Sequence, residues 1–436
     1  MSVPMALLLS LSLAMAFLAA SAAAATGASW STRPEDDLVN GLPGQPDVGF
    51  RHYAGYVGVG SGSSKALFYW FFEAEKEPEK KPLMLWLNGG PGCSSVAYGA
   101  AQELGPFLVR SYGENLSLNA YSWNKGHYVP QLAELIYDGN KGASRDRVIN
   151  VKGFMIGNAV LNDETDQMGM VEYAWSHAII SDELYSAVRR ECDSFKEEED
   201  GGKPGKGCSP AVRAFLRAYD DIDIYSIYTP TCLSSSSNAS APRRPSSRLV
   251  AAPRLFSKQE AWRRMQRGPA GYDPCTEEYV GRYFNREDVQ RALHANRTGL
   301  SYPYSPCSEV ISKWSDSPAT VLPILKKLMG AGLRIWVYSG DTDGRVPVTS
   351  TRYSLNAMRL RPRARTAGAG DGWGGWRAWY DRQQVGGWAV EYEEGLTLVT
   401  VRGAGHQVPL FAPRRSIAML HHFLRGTSLP ASRSRV

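Results

Sequence analysis

The stretch Pro82-Leu83-Met84-Leu85-Trp86-Leu87-Asn88 runs directly into Gly89-Gly90-Pro91-Gly92-Cys93-Ser94-Ser95. Its first half is short and apolar, which predicts a buried β-strand. Its second half places three glycines and a proline after that strand, where α/β sheets hold their ligand-binding loops. Glycines let the backbone turn its N–H groups towards a substrate, as an oxyanion hole requires. Taken alone, such a turn is more often structural.

Other apolar or β-branched runs predict further strands at residues 67–74, 151–160, 333–339 and 396–402. Between them, apolar residues at helical spacing predict helices over residues 129–136 and 321–328. Strands that alternate with helices are typical of βαβ units. We therefore expect an α/β fold built on a mostly parallel sheet.

The composition is that of an ordinary globular protein. The 436 residues are 43% hydrophobic and 21% charged, and the net charge of +6 is too small to indicate a nucleic-acid partner. The strand pattern disappears over residues 172–306, which predicts an inserted helical cap. Within it, the Ser-, Pro- and Arg-rich stretch 234–254 predicts an exposed linker. The Gly- and Arg-rich residues 359–376 predict a second exposed loop.

An apolar segment at residues 6–25 ends in small residues. This pattern predicts a cleaved signal peptide over residues 1–25, with an uncleaved anchor as the alternative. No second apolar stretch of membrane length follows, so we expect no membrane association after cleavage. Three glycosylation sequons agree with a secretory route, at Asn115, Asn238 and Asn296.

The six cysteines form an even set without a Cys-x-x-Cys pair: Cys93, Cys192, Cys208, Cys232, Cys275 and Cys307. A zinc site is therefore unexpected, and we predict no metal. Disulfides are the better interpretation for a protein of the secretory pathway, although the spacing does not decide how the cysteines pair.

Two more turns follow strand-like runs. Residues 338–347 carry Asp341 and Asp343, and a carboxylate there can hold a catalytic imidazole, although an Asx-turn or a helix cap fits equally well. Residues 403–409 carry His406, a candidate general base, although most such histidines are simply hydrogen-bonded. The chain order of oxyanion loop, Asp and His is that of the α/β-hydrolases.

With these turns, the chain resembles the plant serine carboxypeptidases and serine carboxypeptidase-like proteins from about residue 36 to residue 430. The motifs that carry the resemblance are Trp-Leu-Asn-Gly-Gly-Pro-Gly-Cys-Ser-Ser (86–95), Glu-Leu-Gly-Pro (103–106), Asn-Ala-Tyr-Ser-Trp-Asn (119–124), Gly-Asp-Thr-Asp (340–343) and Gly-His-Gln-Val-Pro (405–409). The resemblance implies an α/β-hydrolase fold, with a doubly wound, mostly parallel sheet. Its core would comprise residues 26–171 and 307–436, with the helical cap 172–306 inserted between them.

The resemblance also implies roles for individual residues. Asp343 would orient His406, the general base, and Gly90 would supply one oxyanion N–H. The terminal carboxylate of a peptide would be bound by Asn88, Gly89 and Glu103. The disulfides would join Cys93 to Cys307, Cys192 to Cys208 and Cys232 to Cys275.

In the family, the residue at the position of Glu103 shares a proton with a second Glu beside the nucleophile. At low pH this shared proton keeps the two carboxyl groups from repelling each other, which favours activity in an acidic compartment, vacuolar or extracellular. The resemblance implies no cofactor. It further implies, by analogy, a homodimer and cleavage within the linker.

The family's nucleophile motif, Gly-Glu-Ser-Tyr-Ala-Gly-His-Tyr-Val-Pro, is reduced here to its tail. Asn124-Lys125 runs directly into Gly126-His127-Tyr128-Val129-Pro130, and the chain contains no Gly-x-Ser-x-Gly. The nucleophilic serine, the adjoining Glu and the second oxyanion N–H are therefore absent. Neither Ser94 nor Ser95 lies on an elbow that would replace that serine.

In the family, the missing block includes two central strands and their helical connection. The strand at residues 82–88 would lie between these two strands, so it would lose both neighbours. Each buried unsatisfied backbone group costs roughly 1–3 kcal/mol. We therefore expect an inactive chain that folds poorly.

The resemblance predicts a serine-type carboxypeptidase, which would release C-terminal amino acids from peptides or proteins through a Ser-His-Asp acyl-enzyme, although this chain lacks the serine. One alternative is an acyltransferase that uses glucose esters. Asn88 speaks against it, because this position and the missing Glu recognise a free carboxylate. A second alternative is a non-catalytic truncated isoform, which no feature of the sequence positively supports.

Overall fold

The computed structural model describes residues 33–59, 65–89, 92–122, 129–192, 208–232, 273–297, 299–308, 310, 318–363 and 375–434. The predicted signal peptide, the linker 234–254 and the junction 125/126 lie outside these residues. The chain divides into two compact units, one formed by Met1–Lys81 with Asn285–Pro303 and the other by Pro82–Phe284 with Tyr304–Val436. The domain boundaries expected at 171/172 and 306/307 stay predictions.

The described helices are α1 (Val129–Asn140), α2 (Asp163–Ser176), α3 (Asp182–Glu191), α4 (Cys208–Arg217), α5 (Thr276–Phe284), α6 (Glu287–Ala292), α7 (Leu322–Gly330), α8 (Val348–Ala357), α9 (Val408–Phe411) and α10 (Pro413–Arg425). A π-helix covers Val96–Glu103, and short 3-10 helices cover Pro34–Asp37, Pro78–Lys80 and Ser111–Gly113. The helices predicted at 129–136 and 321–328 are confirmed as α1 and α7.

The described strands are β1 (His52–Val59), β2 (Lys65–Phe72), β3 (Phe107–Arg110), β4 (Asn115–Leu118), β5 (Gly153–Gly157), β6 (Arg334–Gly340), β7 (Arg377–Asp381), β8 (Gln384–Glu391) and β9 (Leu396–Val401). In the first unit, β1 and β2 form an antiparallel pair, with His52 opposite Phe72 and Val59 opposite Lys65. In the second unit, β3 and β4 form another antiparallel pair.

The main sheet lies in the second unit and has the strand order β5-β6-β9-β8-β7. Strands β5, β6 and β9 are parallel, and they correspond to the predicted strands 151–160, 333–339 and 396–402. Strands β8 and β7 are antiparallel to their neighbours. The sheet is therefore mixed, with the expected parallel part in β5, β6 and β9 and an antiparallel part in β8 and β7. Only Arg382 and Gln383 separate β7 from β8, and so short a connection joins antiparallel strands only.

Helices cover both faces of this sheet. Along β6, Trp336 and Tyr338 point into one core cluster, which α10 covers with Met419, Leu420 and Phe423. On the opposite face, Ile335 and Val337 pack with Leu325 and Leu328 of α7 and with Ala133 of α1. The side chains alternate between faces because the strand has a period of two. This two-faced packing confirms the expected α/β fold class.

The segment at residues 82–88 is not a strand, which corrects the prediction for this stretch. It pairs with no strand in the described chain, and β5 at the edge of the sheet pairs with β6 alone. Met84 and Trp86 pack on the core, whereas Leu83 and Leu85 are 84% and 61% exposed. A strand exists only where a neighbour satisfies its N–H and C=O groups, and the described structure offers this segment none.

The region predicted as a cap contains helices and no strand among its described residues. Helices α2, α3 and α4 share one apolar cluster, to which Tyr173, Val188 and Phe215 contribute buried side chains. Buried Asp166 anchors α2, because its Oδ2 accepts the backbone N–H of Leu161 at 2.6 Å while its Oδ1 accepts the hydroxyl of Ser354 at 2.6 Å.

The exposure of the segment 82–88 leads to a stability prediction. We expect Leu83→Lys combined with Leu85→Lys to change the free energy of unfolding by less than about 0.5 kcal/mol, because both side chains are already in water. The matched change Met84→Lys places a charge against the core and should cost roughly 1–3 kcal/mol. Urea denaturation measures both effects. Equal losses would mean that both faces of the segment are buried.

Candidate active site

The site begins with two turns that follow neighbouring strands. Because β6 and β9 are adjacent and parallel, their carboxyl ends meet at one edge of the sheet. Asp343 follows β6 and His406 follows β9. Their side chains meet there, with 2.7 Å between His406 Nδ1 and Asp343 Oδ2, although 63 residues separate them in the chain.

Asp343 is fully buried, and donors surround its carboxylate. Its Oδ1 accepts the backbone N–H groups of Arg345 at 2.8 Å and Val346 at 3.1 Å. Its Oδ2 accepts the side-chain amide of Asn158 at 2.7 Å as well as the imidazole of His406. Both oxygens are therefore held, and the carboxylate faces the imidazole in a fixed orientation.

Asn158 was not among the residues that the sequence predicted for this site. Asn158 follows β5 with φ +45°, in the left-handed region that Asn tolerates better than most residues. Its Oδ1 accepts the backbone N–H of Gly340 at 3.1 Å, so it joins the end of β5 to the last residue of β6. Asn158 lies inside the run 151–160 that was predicted as one strand, and a polar side chain in that largely apolar run was the available signal.

His406 is held from two sides. Its Nδ1 donates to Asp343, which leaves Nε2 as the basic nitrogen of the neutral ring. Its backbone N–H donates to the carbonyl of Tyr225 at 2.7 Å, and the two rings meet edge to face with 5.2 Å between centroids. Tyr225 precedes Cys232 in the cap, and the sequence offered no signal for its role.

The electrostatic environment of His406 favours its protonated form. Burial lowers the pKa of the imidazole, but the negative charge of Asp343 and the hydrogen bond to it outweigh that effect. The net result is a pKa above the usual value of a histidine. The side chain remains 25% exposed, so solvent reaches the ring.

Asn88 and Glu103 form a second polar pair. Asn88 Nδ2 donates to Glu103 Oε1 at 2.7 Å, and Gln407 Nε2 donates to the same oxygen at 3.4 Å. The backbone N–H of Asn88 donates to Ser95 Oγ at 2.8 Å, and Trp86 Nε1 donates to Asn88 Oδ1. Glu103 is only 4% exposed, and burial raises its pKa to about 7. The carboxyl is therefore largely neutral in acid.

One cavity joins the two parts of the site. Its lining includes His406 together with Asn88, Gly89 and Glu103, while Tyr338 and Gly157 form part of its wall. The structure therefore brings together five of the six expected site residues, namely Asp343, His406, Asn88, Gly89 and Glu103. The sixth, Gly90, lies outside the described residues.

The two serines nearest the glycine turn do not reach the imidazole. Ser95 Oγ accepts the backbone N–H of Asn88, and Ser94 Oγ accepts the hydroxyl of Tyr304 at 2.8 Å. In the described chain, no side-chain hydroxyl, thiol or amine forms a hydrogen bond with His406. No metal-binding group of three or more His, Cys, Asp or Glu residues occurs there either.

Two disulfides are described in full. Cys93 is bonded to Cys307 and Cys232 to Cys275. Cys192 is also oxidised, but the side chain of its expected partner Cys208 lies outside the described part of the structure. The flanking backbone is paired too, since Ser94 N donates to Pro306 O at 2.7 Å. The Cys93–Cys307 bond therefore tethers the end of the glycine turn.

Two of the predicted glycosylation sites, Asn115 and Asn296, are exposed, while Asn238 lies outside the described residues. Among the helices that the structure describes, none has the length and apolar character needed to cross a bilayer.

Sheet and site together define an α/β-hydrolase, in which an Asp-supported His stands at the carboxyl edge of the strands. A family model for serine carboxypeptidases matches residues 43–125 and 126–426. The chain belongs to the serine carboxypeptidase family. Its hydrolase character and the family expected from the motifs are thereby confirmed.

Relatives from Arabidopsis thaliana agree with this assignment. Serine carboxypeptidase-like 35 is 50% identical over 469 aligned positions, which cover 93% of this chain and 94% of the relative. Serine carboxypeptidase 24 is 41% identical and covers 93% of this chain and 95% of the relative. The first alignment is longer than the 436 residues of this chain, so that relative has residues without a counterpart here.

A solved structure supports the fold. Kex1(delta)p, a prohormone-processing carboxypeptidase from Saccharomyces cerevisiae, superposes with a TM-score of 0.63 and covers 91% of this chain and 97% of its own. The two sequences are 18% identical. This similarity therefore concerns the fold alone.

The turn after β6 carries two acids, and their effects on His406 should differ. We expect Asp343→Asn to lower the pKa of His406 by roughly 1–3 units, because the opposite charge beside Nδ1 is lost. Asp341→Asn is the matched control, since Asp341 accepts the backbone N–H of Gly403 and does not contact the imidazole. An NMR titration of the His406 ring measures both. Equal shifts in the two variants would contradict the assignment of Asp343.

Glu103 should make stability depend on pH. Its pKa is about 7 in the folded chain and near 4.5 in the unfolded chain, so the folded state binds more protons between these values. Stability from this group is therefore full below about pH 4.5 and declines as the pH rises to 7. We expect Glu103→Gln to remove this part of the decline, with a difference of roughly 3 kcal/mol above pH 7.

Thermal unfolding between pH 4 and pH 8 tests this expectation, with exposed Glu79→Gln as the control. Asp166, whose pKa burial raises to about 6, should keep a smaller decline in all three proteins. A Glu103→Gln variant that loses stability as steeply as the wild-type chain would show that Glu103 ionises normally.

Proposed function

We propose that this chain derives from a serine carboxypeptidase that releases the C-terminal amino acid of a peptide or protein, and that it has lost that enzyme's nucleophile. The observation that carries the proposal is the contact between Asp343 and His406 beside the pair Asn88–Glu103. This arrangement places a general base next to groups that can bind a carboxylate.

In the complete enzyme, a serine hydroxyl would pass its proton to His406 Nε2 as its oxygen attacks the last peptide carbonyl. Asp343 would hold the ring and stabilise the imidazolium that forms. Gly90 would donate its N–H to the oxyanion. The imidazolium would then protonate the leaving amine, and His406 would activate the water that hydrolyses the acyl-enzyme.

The terminal carboxylate of the substrate would lie near Asn88, Gly89 and Glu103. Because burial raises the pKa of Glu103 to about 7, this carboxyl is protonated in acid and can donate a hydrogen bond to a carboxylate. At higher pH its own charge would repel the substrate. This favours work in an acidic compartment, extracellular or vacuolar, and a free carboxylate as the recognised group. It disfavours the acyltransferase alternative.

Three observations support the loss of the nucleophile. The chain contains no Gly-x-Ser-x-Gly, and the match to the family model is interrupted between residues 125 and 126. The segment 82–88 pairs with no strand of the described chain, and β5 pairs with β6 alone. A missing pair of central strands would leave both elements without these neighbours.

Disulfides at Cys93–Cys307 and Cys232–Cys275 support a route through an oxidising compartment. The signal peptide over residues 1–25, the three glycans and a homodimer remain part of this proposal. The deletion itself would arise from a skipped exon or from a faulty gene model, with an intact parent enzyme.

The purified chain should release no amino acid from blocked dipeptides, and a fluorophosphonate probe should label none of its hydroxyls, because the structure describes no nucleophile at His406. An active serine carboxypeptidase treated in parallel is the positive control. Mass spectrometry reads out the label. A covalent adduct on any serine would contradict the proposal.

Sequencing the transcript across codons 125 and 126 separates the two origins of the deletion. We expect the parent transcript to carry an open frame that restores the nucleophile motif. A genome without that block would make the short form the native product.

A further inference from the structure

We propose that this chain hydrolyses carboxylic esters that have good leaving groups, with water as the nucleophile and His406 as the base that activates it. The inference rests on the proposed function, because it takes His406 as a general base. It adds an activity that needs no nucleophilic side chain.

The first support is the free nitrogen of His406. Asp343 occupies Nδ1, whereas Nε2 has no hydrogen-bond partner in the described part of the chain. The ring is partly exposed and lines the cavity, so water can reach Nε2. A histidine held by a carboxylate in this way is oriented as in a catalytic triad, with the proton acceptor facing the solvent.

The second support is the lack of a competitor for Nε2. Ser94 Oγ accepts the hydroxyl of Tyr304, Ser95 Oγ accepts the backbone N–H of Asn88, and neither serine is hydrogen-bonded to His406. No other side-chain hydroxyl, thiol or amine of the described residues hydrogen-bonds to His406. Water is therefore the group that Nε2 can deprotonate.

The third support is the lining of the cavity. Trp86, Tyr338 and Pro409 provide aromatic and apolar surface, which suits the ring of an aryl ester. Gly89 lines the same cavity, and its backbone N–H has no partner among the described residues. This N–H can donate to the carbonyl oxygen as negative charge develops on it.

The reaction balances with water as the only co-reactant. As the water oxygen bonds to the ester carbonyl carbon, His406 Nε2 takes one of its protons. The tetrahedral intermediate then expels the phenolate with the electrons of the broken C–O bond. The imidazolium returns its proton to the phenolate or to solvent, and the products are a carboxylic acid and a phenol.

General-base catalysis by a positioned side chain contributes typically 10²–10⁴-fold, and no covalent intermediate assists here. We therefore expect hydrolysis of p-nitrophenyl acetate by the purified full-length chain at roughly 10² times the rate in buffer. Esters whose leaving groups are poorer than a nitrophenolate should be hydrolysed too slowly to detect.

The test compares three variants with the wild-type chain. His406→Ala should lower the rate to that of buffer, and Asp343→Asn should lower it at least about tenfold. His406→Gln replaces the alanine variant if that variant does not fold, because the side-chain amide of Gln can donate to Asp343 but cannot act as a base. The matched control is His421→Ala, an exposed histidine outside the site, which should leave the rate unchanged.

The pH profile separates catalysis from a structural effect. Only the neutral ring accepts a proton, so the rate should rise through a midpoint above 6.5, where Asp343 places the pKa of His406. In Asp343→Asn this midpoint should move to lower pH. A profile whose midpoint is the same in both proteins would overturn the role of His406.

The outcomes distinguish this inference from the proposed function. Ester hydrolysis that His406→Ala does not reduce, without fluorophosphonate labelling, overturns the inference and leaves the proposed loss of the nucleophile intact. Labelling of a serine together with loss of ester hydrolysis overturns both. Hydrolysis that depends on His406 and persists after fluorophosphonate treatment supports both.

Discussion

The candidate site depends on the parallel pairing of β6 with β9. Gly340 lies opposite Val401 at the carboxyl ends of these strands, so the turns that follow them emerge side by side. One turn supplies Asp343 and the other His406, and their side chains meet at 2.7 Å. Register is strict in a buried sheet, because a shift by one residue would turn apolar side chains out of the core. The apolar side chains on both faces of β6 therefore fix the geometry of the polar pair beyond its end.

The other half of the site is positioned differently. Segment 82–88 precedes Asn88 and Gly89, and in the described chain no strand pairs with it. Side-chain hydrogen bonds hold Asn88 instead, through Ser95 at the start of the π-helix and Glu103 at its end. Trp86 adds a third contact from within the segment. Local polar contacts thus substitute for a sheet ladder at Asn88, while Leu83 and Leu85 remain in water.

Sequence patterns predicted a large part of this arrangement. They failed where a strand or a site residue depends on a neighbour that is distant in sequence. Strands β5, β6 and β9 and helices α1 and α7 follow from apolar periodicity, because each buries its own side chains. The strand expected at 82–88 did not form, although its pattern is equally apolar, because strand formation requires a neighbour. The antiparallel strands β7 and β8 were missed, and with them the mixed character of the sheet. Asn158 and Tyr225 escaped notice, since each acts on a residue distant in sequence.

The sequence by itself determined the family motifs, the candidate acid and base, and the absence of a Gly-x-Ser-x-Gly elbow, because these depend on residue identity alone. Only the tertiary structure decided that His406 Nδ1 meets Asp343 Oδ2 at 2.7 Å, that Asn158 and Tyr225 hold this pair, and that burial brings the pKa of Glu103 to about 7. Those properties arise from distances and burial. Both are set by strands and helices that lie far apart along the chain and come together only in the packed protein.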